Sequence, residues 1–155
     1  MDDDRAVPTP GNVVDYEEDF YLWTVEQARL LRAGDFSTID VAHIAEEIES
    51  MGRSDRRAIE SRLIVLLTHL LKWRIQLRMR SSSWSGTIGE QRRRIAKLLQ
   101  ESPSLRPLVD EALAEAYSEA REAASNQTGL PETEFPVQCP FTTDEVLSRS
   151  FLPER

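Results

Sequence analysis

The chain holds two histidines, His43 and His69, and the first is followed by two carboxylates at helical spacing. On an α-helix Glu46 and Glu47, three and four residues beyond His43, lie near enough to its ring for the side chains to converge. Imidazole and carboxylate aimed from helices at one point can hold a divalent cation, as in the histidine and carboxylate centres of helical bundles. Those centres use Glu-x-x-His in two copies, whereas here the histidine precedes its glutamates and no second copy follows. A helical wheel turns Ile44, Ile48 and Met51 inward, sets Glu47 and Glu49 at the flanks, and leaves His43 and Glu46 largely outward. A solvated acidic face is therefore preferred to a metal set of His43, Glu46, Glu47 and His69. No cofactor is expected, and a divalent metal is the alternative.

His69 falls inside LIVLLTHLL, an uncharged stretch that is apolar nearly all round. An imidazole there needs a hydrogen-bond partner, because a bare polar group loses several kcal/mol of solvation on burial, on the order of 2–7. Glu47 or Glu49 is the expected partner, and a core histidine is preferred to a general base or ligand.

The next set is basic. Lys72, Arg74, Arg78 and Arg80 precede Trp84, and Arg92, Arg93 and Arg94 follow it. Cations interleaved with an indole can grip a phosphate backbone while the ring stacks on a base, which makes nucleic acid a candidate partner. Against this, Trp73 and Trp84 sit among leucines and isoleucines at core spacing, and no nucleic-acid motif accompanies them. Other chemistries are poorly served: Gly-rich phosphate loops, Gly-x-Ser-x-Gly and His-Glu-x-x-His are absent. Cys139, the single cysteine, has no histidine close in sequence to lower its pKa and reads as a packing residue.

The elements that must position these residues are helices. Residues 1–14, with three aspartates, two prolines and no apolar period, read as a disordered leader. Over 15–34, Tyr16, Phe20 and Trp23 share one face of a short helix; Thr24 with Gln27 resembles a capping box at which a second helix restarts, and Gly34 ends it. An acidic helix over 40–52 starts on Asp40 as N-cap and closes or kinks at Gly52. Ser54 caps a central helix over 54–79, whose stripe is Ile59, Leu63, Leu66, Leu70 and Trp73. A basic helix spans 83–101, and another spans 103–128, begun by Ser102-Pro103 and stopped by Gly129. The remainder, 129–153, is too rich in proline for a long helix, although Thr142 and Glu145 can cap one short turn. There Phe135, Phe141, Leu147 and Phe151 read as pins for an irregular strap.

No segment alternates as a strand does. The fold class is all-α: a single-domain bundle of about five helices with an irregular, proline-rich C-terminal strap. At 155 residues such a domain removes roughly 70% of its unfolded surface from water, enough to form a core without staples. The lone cysteine fits a reducing compartment, the acidic N-terminus does not resemble a secretory signal, and every uncharged run falls well short of the roughly 20 apolar residues of a membrane span. A cytoplasmic protein with no membrane attachment is expected.

Charge is strongly blocked. Residues 1–52 hold 3 Lys and Arg against 13 Asp and Glu, residues 53–97 hold 12 against 3, and residues 98–155 hold 4 against 11. The net charge of −8 argues against nucleic acid, while the basic middle alone argues for an anion-binding face.

The runs DFYLWTVEQARLLRAGDF, AEEIESMGRSDRRAIESRL, LLTHLLKWR, SSSWSGTIGEQRRRI, SPSLRP and CPFTTDEVL, in that order, resemble a bacterial family known as domain of unknown function 29. The likeness covers about residues 15–153. It implies a helical bacterial protein and assigns no catalytic or ligand-binding residue. The expected function is that of a non-catalytic interaction or regulatory protein, with a protein partner that can be a second copy; metal chemistry and nucleic-acid binding through 53–97 are the alternatives.

Overall fold

A computed structural model describes residues 14–154 of the chain, so the expected leader lies outside the described residues apart from Val14. The described residues are all-α, with five α-helices and three short 3-10 turns. They group into two compact units, residues up to Met51 and residues from Gly52.

In the first unit, α1 (Phe20–Ala33) starts where the Asp19 carboxylate accepts the Leu22 N–H at 2.9 Å. It ends at Gly34, whose φ of 72° is the left-handed conformation that suits glycine. The helix does not restart at Thr24, because the Thr24 hydroxyl donates back to Tyr21 O inside a continuous ladder. Tyr16 stands in the turn before α1 rather than on it. Trp23, Gln27 and Leu30 are the buried residues of this helix.

Helix α2 (Val41–Ile75) is continuous for 35 residues, so Gly52 does not close it and Ser54 does not begin another. A glycine inside a helix costs about 1 kcal/mol, which good helix formers on both sides offset. No Pro interrupts the segment, and the glutamates and arginines around Gly52 supply that propensity.

The second unit is built on the rest of α2. The helix gives way after Ile75 to a 3-10 turn over Leu77–Met79, four residues before the expected end. Helix α3 (Ser82–Glu101) is capped by Ser81, and α4 (Arg106–Thr128) follows a 3-10 turn at Pro103–Leu105 and stops at Gly129, φ 71°. The core joins Ile59, Leu63, Leu66, Leu67, Leu70 and Leu71 of α2 to Ile88 and Ile95 of α3. Helix α4 adds a column of alanines, Ala112, Ala116, Ala120 and Ala124, whose small size lets the backbones approach: Thr68 Oγ1 reaches within 3.4 Å of Ala120 O. Each fully buried Leu or Ile here contributes about 1.5–3 kcal/mol by transfer from water.

The tail packs on this same unit, with Phe135 and Phe141 buried and Leu147 and Phe151 half-buried. Its one α-helix, α5 (Thr143–Leu147), carries the Thr142 and Glu145 capping box expected from the sequence. A strap this poor in helix leaves many carbonyls without ladder partners, and side chains of the bundle supply the donors. Tyr117 donates to Pro136 O at 2.6 Å, Arg121 to Glu132 O and Phe135 O, and Arg80 to Pro153 O. No described helix is long and apolar enough to cross a membrane.

Candidate functional site

The first unit gathers the histidine and carboxylate candidates around an aromatic cluster. Asp40, just before α2, accepts from the His43 N–H at 3.3 Å, and its other oxygen lies 2.6 Å from His43 Nδ1. That same oxygen receives the Trp23 indole N–H at 3.3 Å, while the Asp40 N–H donates to Gln27 Oε1 at 2.8 Å. Tyr16 stacks on the His43 ring at 4.0 Å, nearly parallel, and donates its hydroxyl to Glu47 at 2.5 Å. Phe20 and Trp23 close the group with ring contacts of 5.5 and 4.9 Å to Tyr16.

The electrostatics follow from these contacts. The Asp40 carboxylate raises the pKa of His43 by hydrogen bonding, and His43 in turn lowers that of Asp40. The Glu47 carboxylate, as acceptor of the phenol proton, pushes Tyr16 up to about 12. A neutral His43 carries its proton on Nδ1, toward Asp40, which leaves Nε2 as the basic nitrogen. The arrangement therefore favours the cationic imidazole, and it ties the turn at Tyr16 and the middle of α1 to the first turn of α2.

The wheel reading of this segment holds for Ile44, which is half-buried, and fails for His43, Ile48 and Met51. His43 and Glu47 face the aromatic cluster, whereas Val41, Ile48 and Met51 are 64%, 64% and 69% exposed. The wheel ranked hydrophobicity, but the neighbour it needed is a set of rings with polar edges, which take polar partners. Glu46 is exposed, as expected.

The metal set is not assembled. Among the described residues no group of three or more His, Cys, Asp and Glu side chains is placed to hold a metal ion. His69 Nδ1 lies 2.8 Å from Val65 O one turn earlier on its own helix, so a backbone carbonyl takes the place of the expected Glu47 or Glu49. Burial lowers its pKa, and the neutral ring donates from Nδ1.

The basic candidates are largely committed inside the second unit. Lys72, 8% exposed, donates to Gln127 at 3.0 Å and lies over the Trp84 ring at 4.5 Å, covering one face of the indole. Arg80 donates to Trp73 O and Pro153 O and sits over the Trp73 ring. Arg92, 4% exposed, gives three donors to tail carbonyls, Val146 O at 2.8 Å, Phe151 O at 2.8 Å and Glu145 O at 3.2 Å. Arg93 and Arg94 both pair with Glu90. Arg78 is exposed on the 3-10 turn, and Arg74 is half-buried in the last turn of α2. Cys139 is half-buried with its thiol toward Phe141 O, and burial raises its pKa, as suits packing.

Continuous helices, the alanine column and the strap thus account for the ordered sequence runs from Tyr16 to the tail. The chain belongs to the family described as domain of unknown function DUF29. The DUF29 profile matches residues 16–152, nearly the whole length, and so includes the Tyr16, Asp40 and His43 cluster and the Arg92 anchor. No curated protein and no solved structure matches the chain.

Sequence reasoning named Asp40 only as a cap and Tyr16 only as a core aromatic. The Asp-x-x-His spacing, three residues on one helix face, was the available signal for the first pair. Tyr16 had none, because its partner is 31 residues away.

Proposed function

We propose that this DUF29 protein is a non-catalytic, cytoplasmic interaction protein of bacteria that pairs with a second copy of itself through the exposed face at the start of α2. The observation that carries the reading is the apolar stripe Val41, Ile44, Ile48 and Met51. Its spacing of three, four and three residues is that of a helix-pairing seam, and three of the four side chains stand mostly in water. A second copy fits as the occupant because the stripe is self-complementary: in an antiparallel pair Val41 of one helix meets Met51 of the other and Ile44 meets Ile48.

The same geometry weakens the alternatives, since Lys72, Arg80 and Arg92 are spent on internal acceptors. The lone cysteine supports the reducing compartment. Sedimentation equilibrium tests the pairing: the wild-type chain is expected to be a dimer, and the double substitution Ile48→Glu and Met51→Glu a monomer of unchanged helicity. A wild-type chain that stays monomeric at every concentration measured, or a variant that still dimerises, ends this proposal.

A further inference from the structure

Arg74 differs from the other buried and half-buried guanidiniums of its unit. Arg80, Arg92 and Arg121 each hold backbone carbonyls and Arg106 holds Asp110 and Asp144, whereas among the described residues Arg74 makes no hydrogen bond and no ion pair. The Tyr117 phenol feels its charge, and the hydrogen bond that the phenol donates goes to Pro136 O. A half-buried cation with no protein acceptor keeps its donors for water or for a ligand.

Two clefts share Arg74 as a common wall. One, of about 580 Å³, runs between Arg74, Ile75 and the strap at Phe135, Pro136 and Val137. The other, of about 430 Å³, runs between Arg74 and Pro140, Phe141, Phe151 and Leu152. The linings are mixed: Ile75, Phe135, Val137, Phe141, Phe151 and Leu152 offer apolar contact, prolines in both walls lack N–H donors, and the guanidinium is the cationic anchor beside Thr133, Glu134 and Glu154. Val137, an apolar residue 79% exposed, lies at the rim of the larger cleft.

We infer that these clefts form one peptide-binding site, in which Arg74 takes the side-chain carboxylate of an extended segment and the two troughs take the apolar side chains on either side. The planar fork of a guanidinium matches a carboxylate with two parallel hydrogen bonds. In an extended chain, neighbouring side chains point to opposite sides and alternate ones lie about 7 Å apart, so one carboxylate can sit between two apolar groups. Glu134 lines the first cleft and Glu154 the second. Their charges disfavour a second acidic residue and favour basic ends, which makes the partner a segment with a single central carboxylate. This site is independent of the α2 stripe, since every residue of it lies beyond Gly52.

The test uses the full chain and immobilised heptapeptides with Leu, Phe or Val around a central Glu, Gln or Lys and with lysine at the ends. Glu-centred peptides are expected to bind, and Gln-centred ones to bind about tenfold or more weakly, as befits loss of a charge-assisted fork. Arg74→Gln is expected to remove that difference while Arg78→Gln keeps it, with far-UV circular dichroism confirming that both variants fold. The Glu and Gln comparison on the wild-type chain needs no variant. The inference is overturned by equal binding of Glu- and Gln-centred peptides, or by no Glu-centred peptide binding tighter than about 1 mM. Salt-sensitive retention of single-stranded RNA that Arg74→Gln abolishes would overturn it too, by assigning the cation to phosphate.

Discussion

Residues 14–51 bury Trp23, Gln27 and Leu30, and rely on a lattice of Tyr16, Asp40, His43 and Glu47 to hold their turns. Residues from Gly52 onward bury six aliphatic side chains of α2 alone, and use polar groups chiefly to fasten the strap. Apolar residues are not scarce in the first unit: Tyr21, Phe36, Val41, Ile48 and Met51 are all mostly exposed. What differs is whether such residues meet one another. Helix α4 offers a flat alanine column against which leucines can close, while the start of α2 meets rings with polar edges and turns its own apolar face outward. An interaction surface and a self-sufficient core are thus two uses of one kind of side chain.

The comparison is easiest to break at Leu67. Leu67→Ala is expected to lower stability by about 2–5 kcal/mol in urea unfolding, as for other large-to-small core changes. A loss no larger than that of an exposed leucine would remove the distinction between the two units. Arg92→Met comes next, expected at about 2–3 kcal/mol, because one buried and two part-buried carbonyls lose a charged donor. Limited proteolysis of this variant should cut first in residues 145–151, and cutting elsewhere first would show that the strap has other anchors.

The smallest effect is the most discriminating, since the two histidines shift in opposite directions. His43 is raised above its ordinary 6.5, so its contribution is full below about pH 6.5 and is lost as pH rises through the folded value. His69 is lowered, so its contribution is present above about pH 6.5 and is lost as pH falls through its folded value. Titration of the two imidazole Hε1 signals should place one midpoint on each side of 6.5, and Asp40→Asn should bring down only the His43 midpoint. Midpoints on the same side would refute the contrast.

Much of the second unit was legible, for a physical reason: a helix buried on several sides repeats apolar residues at helical spacing whatever its neighbours are. The same holds for stops that act locally, such as Gly34, Gly129 and the Thr142 and Glu145 box. What failed depended on distant context. Gly52 looked like a boundary because propensity is summed locally, and the surrounding helix formers outweighed it. Arg92, Arg93 and Arg94 looked equivalent, yet only Arg92 lies four residues after Ile88 and three before Ile95, on the buried face. That register was readable; the carbonyls that satisfy the guanidinium were not.

The acceptors of Arg92 are 53 to 59 residues further along the chain. During synthesis the guanidinium emerges first and keeps its hydration until the strap arrives. A chain cut short before Glu145 therefore leaves Arg92 without the three carbonyls that hold it. Such a product is less stable than the finished protein and is a ready substrate for quality-control proteases.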